Sequence, residues 1–104
     1  MRLSTALFAV PLLMVSPVSA GSPEQGLEKT KEYGCRNCHG KDGQGIMPMY
    51  PNLAGQKAAY LEQQLKAFRA GDRRAAQMSI IARDLSDEDI ADLSAYYASL
   101  KPCQ

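Results

Sequence analysis

Residues 35–39 of the chain are Cys35-Arg36-Asn37-Cys38-His39, and this stretch decides the fold. The spacing Cys-x-x-Cys-His is the attachment signature of a c-type haem. Two thiols three residues apart can form thioether bonds to the two vinyl groups of one porphyrin, and the adjacent imidazole can then bind the iron as an axial ligand. We therefore predict one covalent haem c, attached through Cys35 and Cys38, with His39 as an iron ligand.

Two other kinds of site also use a Cys-x-x-Cys pair. A thioredoxin-like redox pair requires a βαβ pattern around it, and a zinc site requires further cysteine or histidine ligands. His39 is the only histidine of the chain, and the one other cysteine, Cys103, lies next to the C-terminus. The pattern therefore favours haem attachment over both alternatives, of which the thiol redox pair is the stronger.

The first 20 residues are predicted to be a signal peptide. Met1-Arg2 supplies a short positive region, and residues 3–15 are mostly apolar. The stretch Val18-Ser19-Ala20 fits the small-residue rule for cleavage before Gly21. Because haem is attached to proteins of this kind on the outer side of the bacterial inner membrane, we expect export to the periplasm.

A membrane anchor is the alternative role of this N-terminal segment. The apolar run is shorter than the ~20 residues that a spanning helix needs, and Pro11 and Pro17 interrupt it. No cysteine directly follows the predicted cleavage site, which argues against a lipid anchor. We therefore predict a soluble periplasmic protein that is not inserted in the membrane after cleavage.

Residues 21–104 are predicted to form one domain. These 84 residues are too few to bury a large core of their own, so an apolar haem would become part of the core. Removal of residues 1–20 also removes Arg2, so the remaining chain has 11 basic and 11 acidic side chains. This balance gives no argument for nucleic-acid binding. Redox partners are expected to dock on a local patch around the exposed haem edge, because the near-zero net charge gives the protein no strong overall electrostatic field.

No segment shows convincing strand alternation, so we predict an all-α fold. Ser22 as the N-cap and Pro23 in the first turn indicate a short helix that ends near Gly34. A middle helix at about residues 57–70 has Gly71 as a plausible C-terminal cap.

The last helix carries the strongest local signal. Ser86-Asp87-Glu88-Asp89 resembles a capping box with acidic residues in the first turn, and Pro102 ends the helix. Residues 40–55 are rich in Gly, Pro, Asp and Asn, and they predict a long functional loop. The apolar residues that recur on one face of the last helix are Ile90, Leu93, Tyr97 and Leu100.

An electron-carrying haem needs a second axial ligand, and outside the signal peptide the methionines are Met47, Met49 and Met78. Met47 and Met49 follow His39 closely and are expected to remain on its side of the haem. Met78 lies 39 residues downstream, between the middle and last helices, where the chain can cross to the opposite face. We therefore predict His/Met ligation of the iron by His39 and Met78.

These motifs together resemble the bacterial class I cytochromes c. The chain looks closest to one half of the two-haem periplasmic members of that class, and the match covers nearly all of residues 21–104. The segments that carry the resemblance are residues 35–43 (CRNCHGKDG), 51–56 (PNLAGQ), 60–65 (YLEQQL), 68–71 (FRAG), Met78 and 85–97 (LSDEDIADLSAYY).

The resemblance implies a small class I cytochrome c fold, with three to five helices around one haem. It supports Met78 as a ligand, and it implies that the Pro51 carbonyl accepts a hydrogen bond from His39 Nδ1. In related proteins the first and last helices cross where a glycine packs against an aromatic side chain. Gly26 with Tyr96 or Tyr97 is the candidate pair here. The chain departs from the two-haem pattern because it has a single Cys-x-x-Cys-His motif.

The predicted function is outer-sphere electron transfer between periplasmic redox partners, without enzymatic activity. One alternative is a dedicated cytochrome subunit of a periplasmic dehydrogenase, and another is a haem enzyme or ligand sensor. We expect a monomer, with a dimer linked through Cys103 as the alternative. Candidates for the apolar haem wall are Tyr60, Leu65, Phe68, Ile80, Ile81 and Leu93, and candidates for pairing with the haem propionates are Arg69, Arg73 and Arg74.

Overall fold

The path of the chain is known from a computed structural model, which describes residues 2–13 and 20–102. The predicted cleavage residues Val18 and Ser19 and the terminal Cys103 lie outside the described residues. Residues 2–13 contain no helix or strand, and their large apolar side chains are exposed. Within the described ranges, no helix has the length and apolar character needed to cross a membrane.

Five α-helices and no strands make up the described part of the chain, which confirms the predicted all-α class. Two short helices, α2 and α4, come as additions to the three that the sequence patterns indicated. The helices are α1 Pro23–Glu32, α2 Arg36–His39, α3 Ala58–Ala70, α4 Met78–Arg83 and α5 Asp87–Ser99.

Side-chain caps fix where the two terminal helices begin. Ser22 Oγ accepts a hydrogen bond from the backbone N–H of Gln25 at the start of α1. At the start of α5 the capping box is complete, because Ser86 Oγ accepts from the Asp89 N–H and Asp89 Oδ2 accepts from the Ser86 N–H. Helix α3 ends at Gly71, whose φ of +84° is a left-handed conformation that glycine adopts without a steric penalty.

Helices α1 and α5 cross in close contact at Gly26. A Cβ atom at this position would lie 2.1 Å from the Asp92 carbonyl oxygen and 2.6 Å from Tyr96 Cβ. The helix backbones can approach this closely only because glycine has no side chain. The aromatic partner is therefore Tyr96, one of the two residues that the resemblance suggested.

A charged network joins the same two helices beside the crossing. Lys29 Nζ on α1 lies 3.0 Å from Asp89 Oδ1 and 2.7 Å from Asp92 Oδ2 on α5. The Tyr33 hydroxyl donates to Asp89, and the Ser22 backbone N–H donates to Asp92. Hydrogen bonding with Asp92 raises the pKa of Lys29, so the ammonium remains charged in the network.

The apolar core is small and lies between α3, α4 and α5. Tyr33, the residue that caps the end of α1, packs against its edge, as does Cys35 just before α2. The buried cluster consists of Phe68, Ala82, Leu85, Ile90 and Leu93, and Leu65 and Met78 pack against it. A core of this size fits the expectation that the polypeptide does not bury enough apolar surface alone.

Candidate haem site

A cavity of about 570 Å³ opens beside this core. Its volume lies within the roughly 300–1,000 Å³ that is usual for cofactor sites. Five of the six predicted wall residues line it, namely Tyr60, Leu65, Phe68, Ile81 and Leu93. The prediction for the sixth, Ile80, is wrong, because its side chain is 60% exposed. Consecutive residues of a helix point about 100° apart, so Ile80 and Ile81 lie on different faces of α4.

His39, the last residue of α2, lines the cavity and is 6% exposed. Its Nδ1 atom lies 2.9 Å from the carbonyl oxygen of Pro51. Because a carbonyl oxygen can only accept, this contact requires the proton on Nδ1 and leaves the lone pair on Nε2 for a metal. The same bond fixes the plane of the ring and increases its strength as a donor.

The loop between α2 and α3 positions the Pro51 carbonyl through its own hydrogen bonds. The Leu53 N–H donates to the Gly43 carbonyl at 2.7 Å, and the Gly45 N–H donates to Asn52 Oδ1 at 2.7 Å. The Ile46 N–H donates to the Cys38 carbonyl at 3.0 Å and joins the loop to α2. The long loop is thus folded back on the turn that carries the histidine.

The two cysteines stand in the turn of helix that leads to His39. The His39 N–H donates to the Cys35 carbonyl at 3.0 Å, which places these two residues one helical turn apart. Cys35 lines the cavity, whereas Cys38 is half-buried beside it. Burial raises the pKa of the Cys35 thiol to about 11, which is opposite to the lowered pKa that a thiol redox catalyst requires. The buried surroundings of Cys35 therefore disfavour the thioredoxin-like alternative.

The three candidate methionines differ in burial and position. Met78 begins α4, is half-buried against the core and lines the cavity. Met49 also lines the cavity but is 69% exposed, and Met47 is 48% exposed and lies outside the lining. Met78 is therefore the methionine best placed to bind, together with His39, a haem in this cavity.

Two buried hydroxyl groups at the cavity were not anticipated from the sequence. Ser94 Oγ and Tyr97 Oη, one turn apart on α5, have no hydrogen-bond partner within the described residues. Both residues line the cavity, and the Tyr97 ring meets the His39 ring edge to face with centroids 6.3 Å apart. Burial raises the pKa of Tyr97, so its hydroxyl remains neutral. Buried polar groups without partners in the wall of a cavity fit a site that a bound group completes.

The three candidate arginines lie in different surroundings. Arg73 lines the cavity, with its guanidinium 4.6 Å above the Phe68 ring. Arg69 is occupied elsewhere, because it donates to the Leu85 carbonyl and to the Asp87 carboxylate. Arg74 donates to the Gly71 carbonyl and lines a different concavity. Of the three, Arg73 is the one that can reach a group in this cavity.

Comparison with known proteins decides the family. The family model described as cytochrome c matches residues 25–101, which is most of the chain. The chain belongs to the cytochrome c family. The residues in and next to the cavity fit a c-type haem, since they combine two cysteines three positions apart, an oriented imidazole, a thioether and an apolar wall. One cytochrome c domain and one Cys-x-x-Cys-His motif correspond to a single covalent haem.

The relatives of this cytochrome c differ in how much of their own length it covers. It is 59% identical over 68 residues to cytochrome c-554(548) of Halomonas halodenitrificans, a match that covers 62% of this chain and 82% of the relative. The crystal structure of reduced recombinant cytochrome c4 from Pseudomonas stutzeri superposes with a TM-score of 0.73 at 37% identity. That superposition covers 79% of this chain and 47% of cytochrome c4, which confirms the resemblance to one half of a two-haem protein.

A third similarity is to part of a much longer chain. The structure of thiosulfate dehydrogenase from Marichromatium purpuratum contains a region that superposes with a TM-score of 0.71 at 39% identity. The match covers 77% of this chain but 19% of the dehydrogenase chain. The class I cytochrome c fold therefore occurs both in separate cytochromes and within a dehydrogenase.

Proposed function

We propose that this cytochrome c carries single electrons between periplasmic redox partners, with a haem ligated by His39 and Met78. The observation that carries the proposal is the cavity that both residues line, with the His39 ring held by Pro51. The two ligands come from separate parts of the chain, so both sides of a haem would be occupied by protein. A site of this kind changes little when an electron enters or leaves.

The chain's own residues bind the haem and tune its potential. A bound c-type haem supplies reversible one-electron chemistry at its iron. Cys35 and Cys38 would hold the porphyrin through thioether bonds, and His39 and Met78 would provide the nitrogen and sulfur donors. The thioether donor and the apolar wall of Phe68 and its neighbours both favour the reduced state, so they raise the potential.

Voltammetry of the purified holoprotein would test this function. A carrier gives a reversible one-electron wave, and its reduced optical spectrum is that of a low-spin c-type haem. The control is the Cys35→Ala/Cys38→Ala variant, which should lose its haem on denaturation because no thioether bond retains it. Covalent haem in that variant, or an irreversible wave in the native protein, contradicts the proposal.

Residues 1–20 are proposed to be removed as a signal peptide on export, and residues 21–104 to remain as the mature cytochrome domain. Packing supports this boundary. A Cβ at Gly21 would lie 1.9 Å from the Ala91 carbonyl oxygen, whereas Ala20 is exposed. The first residue after the proposed cut is thus in close contact with α5, and the last residue before it is exposed. Mass spectrometry of the periplasmic protein should find Gly21 as its N-terminus.

We also propose that the chain is not an enzyme. No carboxylate is among the described residues that line the cavity, and His39, which is bound to Pro51, would be committed to the iron by the proposed ligation. Because Met78 would also ligate the iron, the reduced protein should not bind carbon monoxide at neutral pH. Rapid binding by the native protein favours the enzyme or sensor alternative instead.

A second candidate function is that of a cytochrome subunit bound to a periplasmic dehydrogenase. The structural match within the Marichromatium purpuratum thiosulfate dehydrogenase favours this alternative. Affinity purification from the native host at moderate salt separates the two. A mobile carrier elutes alone as a monomer, whereas a subunit retains a larger catalytic chain.

A Cys103-linked dimer would appear in the same preparation as a band on a non-reducing gel, and the Cys103→Ser variant should lack that band.

A further inference from the structure

Two buried hydroxyl groups interrupt the apolar wall of the haem cavity. Ser94 is fully buried, Tyr97 is 4% exposed, and both residues line the cavity. They stand three positions apart on α5, so their side chains are neighbours on one face of the helix. We call these two residues the hydroxyl pair.

The hydroxyl pair is not used to hold the fold together. Ser94 Oγ and Tyr97 Oη are covered by protein atoms, and neither has a hydrogen-bond partner within the described residues. A serine inside a helix can donate to the carbonyl four positions earlier, which here belongs to Ile90, but Ser94 does not. Buried Thr30 on α1 shows the usual arrangement, since its hydroxyl donates to the Leu27 carbonyl at 2.6 Å.

One member of the pair lies against the proposed iron ligand. The Tyr97 ring meets the His39 ring at an angle of 66°, with the centroids 6.3 Å apart. The Pro51 carbonyl is bound to His39 Nδ1 and not to the tyrosine hydroxyl. The hydroxyl pair therefore belongs to the layer of side chains that would surround the haem, and its oxygens have no other task there.

An unpaired hydroxyl can respond to a charge in the cavity. Its proton rotates about the C–O bond, so the oxygen lone pairs can turn toward a positive charge. Oxidation adds one positive charge to the iron site. The attraction between this charge and a nearby dipole is stronger where the protein excludes water than at the surface. Such hydroxyl groups favour the oxidised state, and their effect is opposite to that of the thioether ligand and the apolar wall.

We propose that Ser94 and Tyr97 are tuning residues that lower the reduction potential of the haem. They set it below the value that the axial ligands and an entirely apolar wall would give. The inference rests on the proposed electron-carrier function and adds two residues that determine the potential at which the carrier works. Two polar groups that burial leaves unpaired cost stability, and tuning of the potential explains their presence at this site.

Redox titration of the Ser94→Ala/Tyr97→Phe holoprotein tests the proposal. At one fixed solution potential, we expect the ratio of reduced to oxidised protein to rise ~10-fold in this variant and ~3-fold in each single variant. The control is Tyr96→Phe/Ser99→Ala, which removes the same atoms from α5. Its two hydroxyls already donate to the Lys41 and Tyr96 carbonyls, so the ratio should remain within about twofold of the native value.

Thermal unfolding of the same holoproteins distinguishes tuning from a structural role. Removing an unpaired buried hydroxyl relieves an unsatisfied polar group, so Ser94→Ala/Tyr97→Phe should unfold at the native temperature or above it. The control breaks two hydrogen bonds and should unfold at a lower temperature than the native protein. A lower unfolding temperature for Ser94→Ala/Tyr97→Phe would show that these hydroxyls are hydrogen-bonded in the holoprotein, and it would overturn the proposal.

The potentials also separate this inference from the function on which it rests. An unchanged potential in Ser94→Ala/Tyr97→Phe overturns the tuning role. A lowered potential overturns it as well, since the hydroxyls would then donate to a negative group such as a haem propionate. Both results leave the electron-carrier function intact if the native protein gives a reversible one-electron wave. A native protein without that wave contradicts the carrier function itself.

Discussion

At the scale of single residues, the site depends on a few atoms whose surroundings fix their chemical state. The Pro51 carbonyl holds the proton on His39 Nδ1, so the other ring nitrogen is available as a ligand. Met78 differs from Met47 and Met49 because the core holds it at the cavity. The assignment of roles to these residues therefore comes from burial and hydrogen bonding as well as from residue type.

Replacing Met78 with alanine should open the haem to carbon monoxide and lower its potential. The sulfur donor favours reduced iron, and axial ligands tune haem potentials over about 0.8 V, so we expect a decrease on the order of 100 mV. Redox titration and carbon monoxide difference spectra measure the two effects. Met49→Ala is the matched control and should behave like the native protein. If Met49→Ala gives the larger change, the ligand assignment is wrong.

At the scale of elements, helix signals in the sequence were reliable where a cap fixed them. Ser22, Gly71 and Ser86 mark helix ends that the structure contains. Helices α2 and α4 were not anticipated, because four and six residues are too few to show a helical period and neither has a side-chain cap. The wrong assignment of Ile80 to the haem wall has the same origin, since a helix must be recognised before its faces can be assigned.

The crossing of α1 and α5 gives a prediction about Gly26. Alanine normally stabilises a helix by about 1 kcal/mol relative to glycine, but here its methyl group would overlap the Asp92 backbone and Tyr96. We expect Gly26→Ala to destabilise the holoprotein by ~1–3 kcal/mol, measured by chemical denaturation. The exposed Gln25→Ala variant is the control. A Gly26→Ala variant as stable as this control would show that the helices do not cross here.

The network between the same helices predicts acid sensitivity. Asp89 is partly buried, which opposes ionisation, but hydrogen bonds from Ser86, Lys29 and Tyr33 lower its pKa from 3.8 to about 2. A carboxylate with a lowered pKa stabilises the fold above its ordinary pKa, and this contribution is lost as the pH falls from about 4 to 2.

Unfolding free energies of Asp89→Asn should therefore depend less on pH in that window. The native protein should lose about 2 kcal/mol more than the variant between pH 4 and pH 2. The exposed Glu88→Gln variant removes the same charge from the same helical turn and serves as the control. If the unfolding free energies of the native protein and Asp89→Asn change equally with pH, Asp89 is excluded as a source of acid sensitivity.

At the scale of the whole molecule, we expect the haem to complete the core. Only seven apolar residues are buried among the described residues, and the cavity lies beside them. The sequence predicted this deficit from length and composition. It could not show which of Arg69, Arg73 and Arg74 reaches the cavity, or that Ser94 and Tyr97 carry unpaired hydroxyls, because those facts depend on how the helices pack.

Loss of the haem should therefore unfold the domain. The Cys35→Ala/Cys38→Ala variant, freed of haem, should lose most of its helical circular dichroism and its cooperative thermal transition at neutral pH. The native holoprotein should retain both. A cooperative transition in the haem-free variant would mean that the polypeptide core is sufficient by itself.

The central claim is that His39 and Met78 ligate one covalent haem from separate parts of the chain. Near-infrared magnetic circular dichroism of the oxidised native protein tests it most directly, because the methionine-to-iron charge-transfer band identifies a sulfur ligand. The account predicts that this band is present in the native protein and absent in Met78→Ala. A native spectrum without the band, or a band that survives in Met78→Ala, would contradict it.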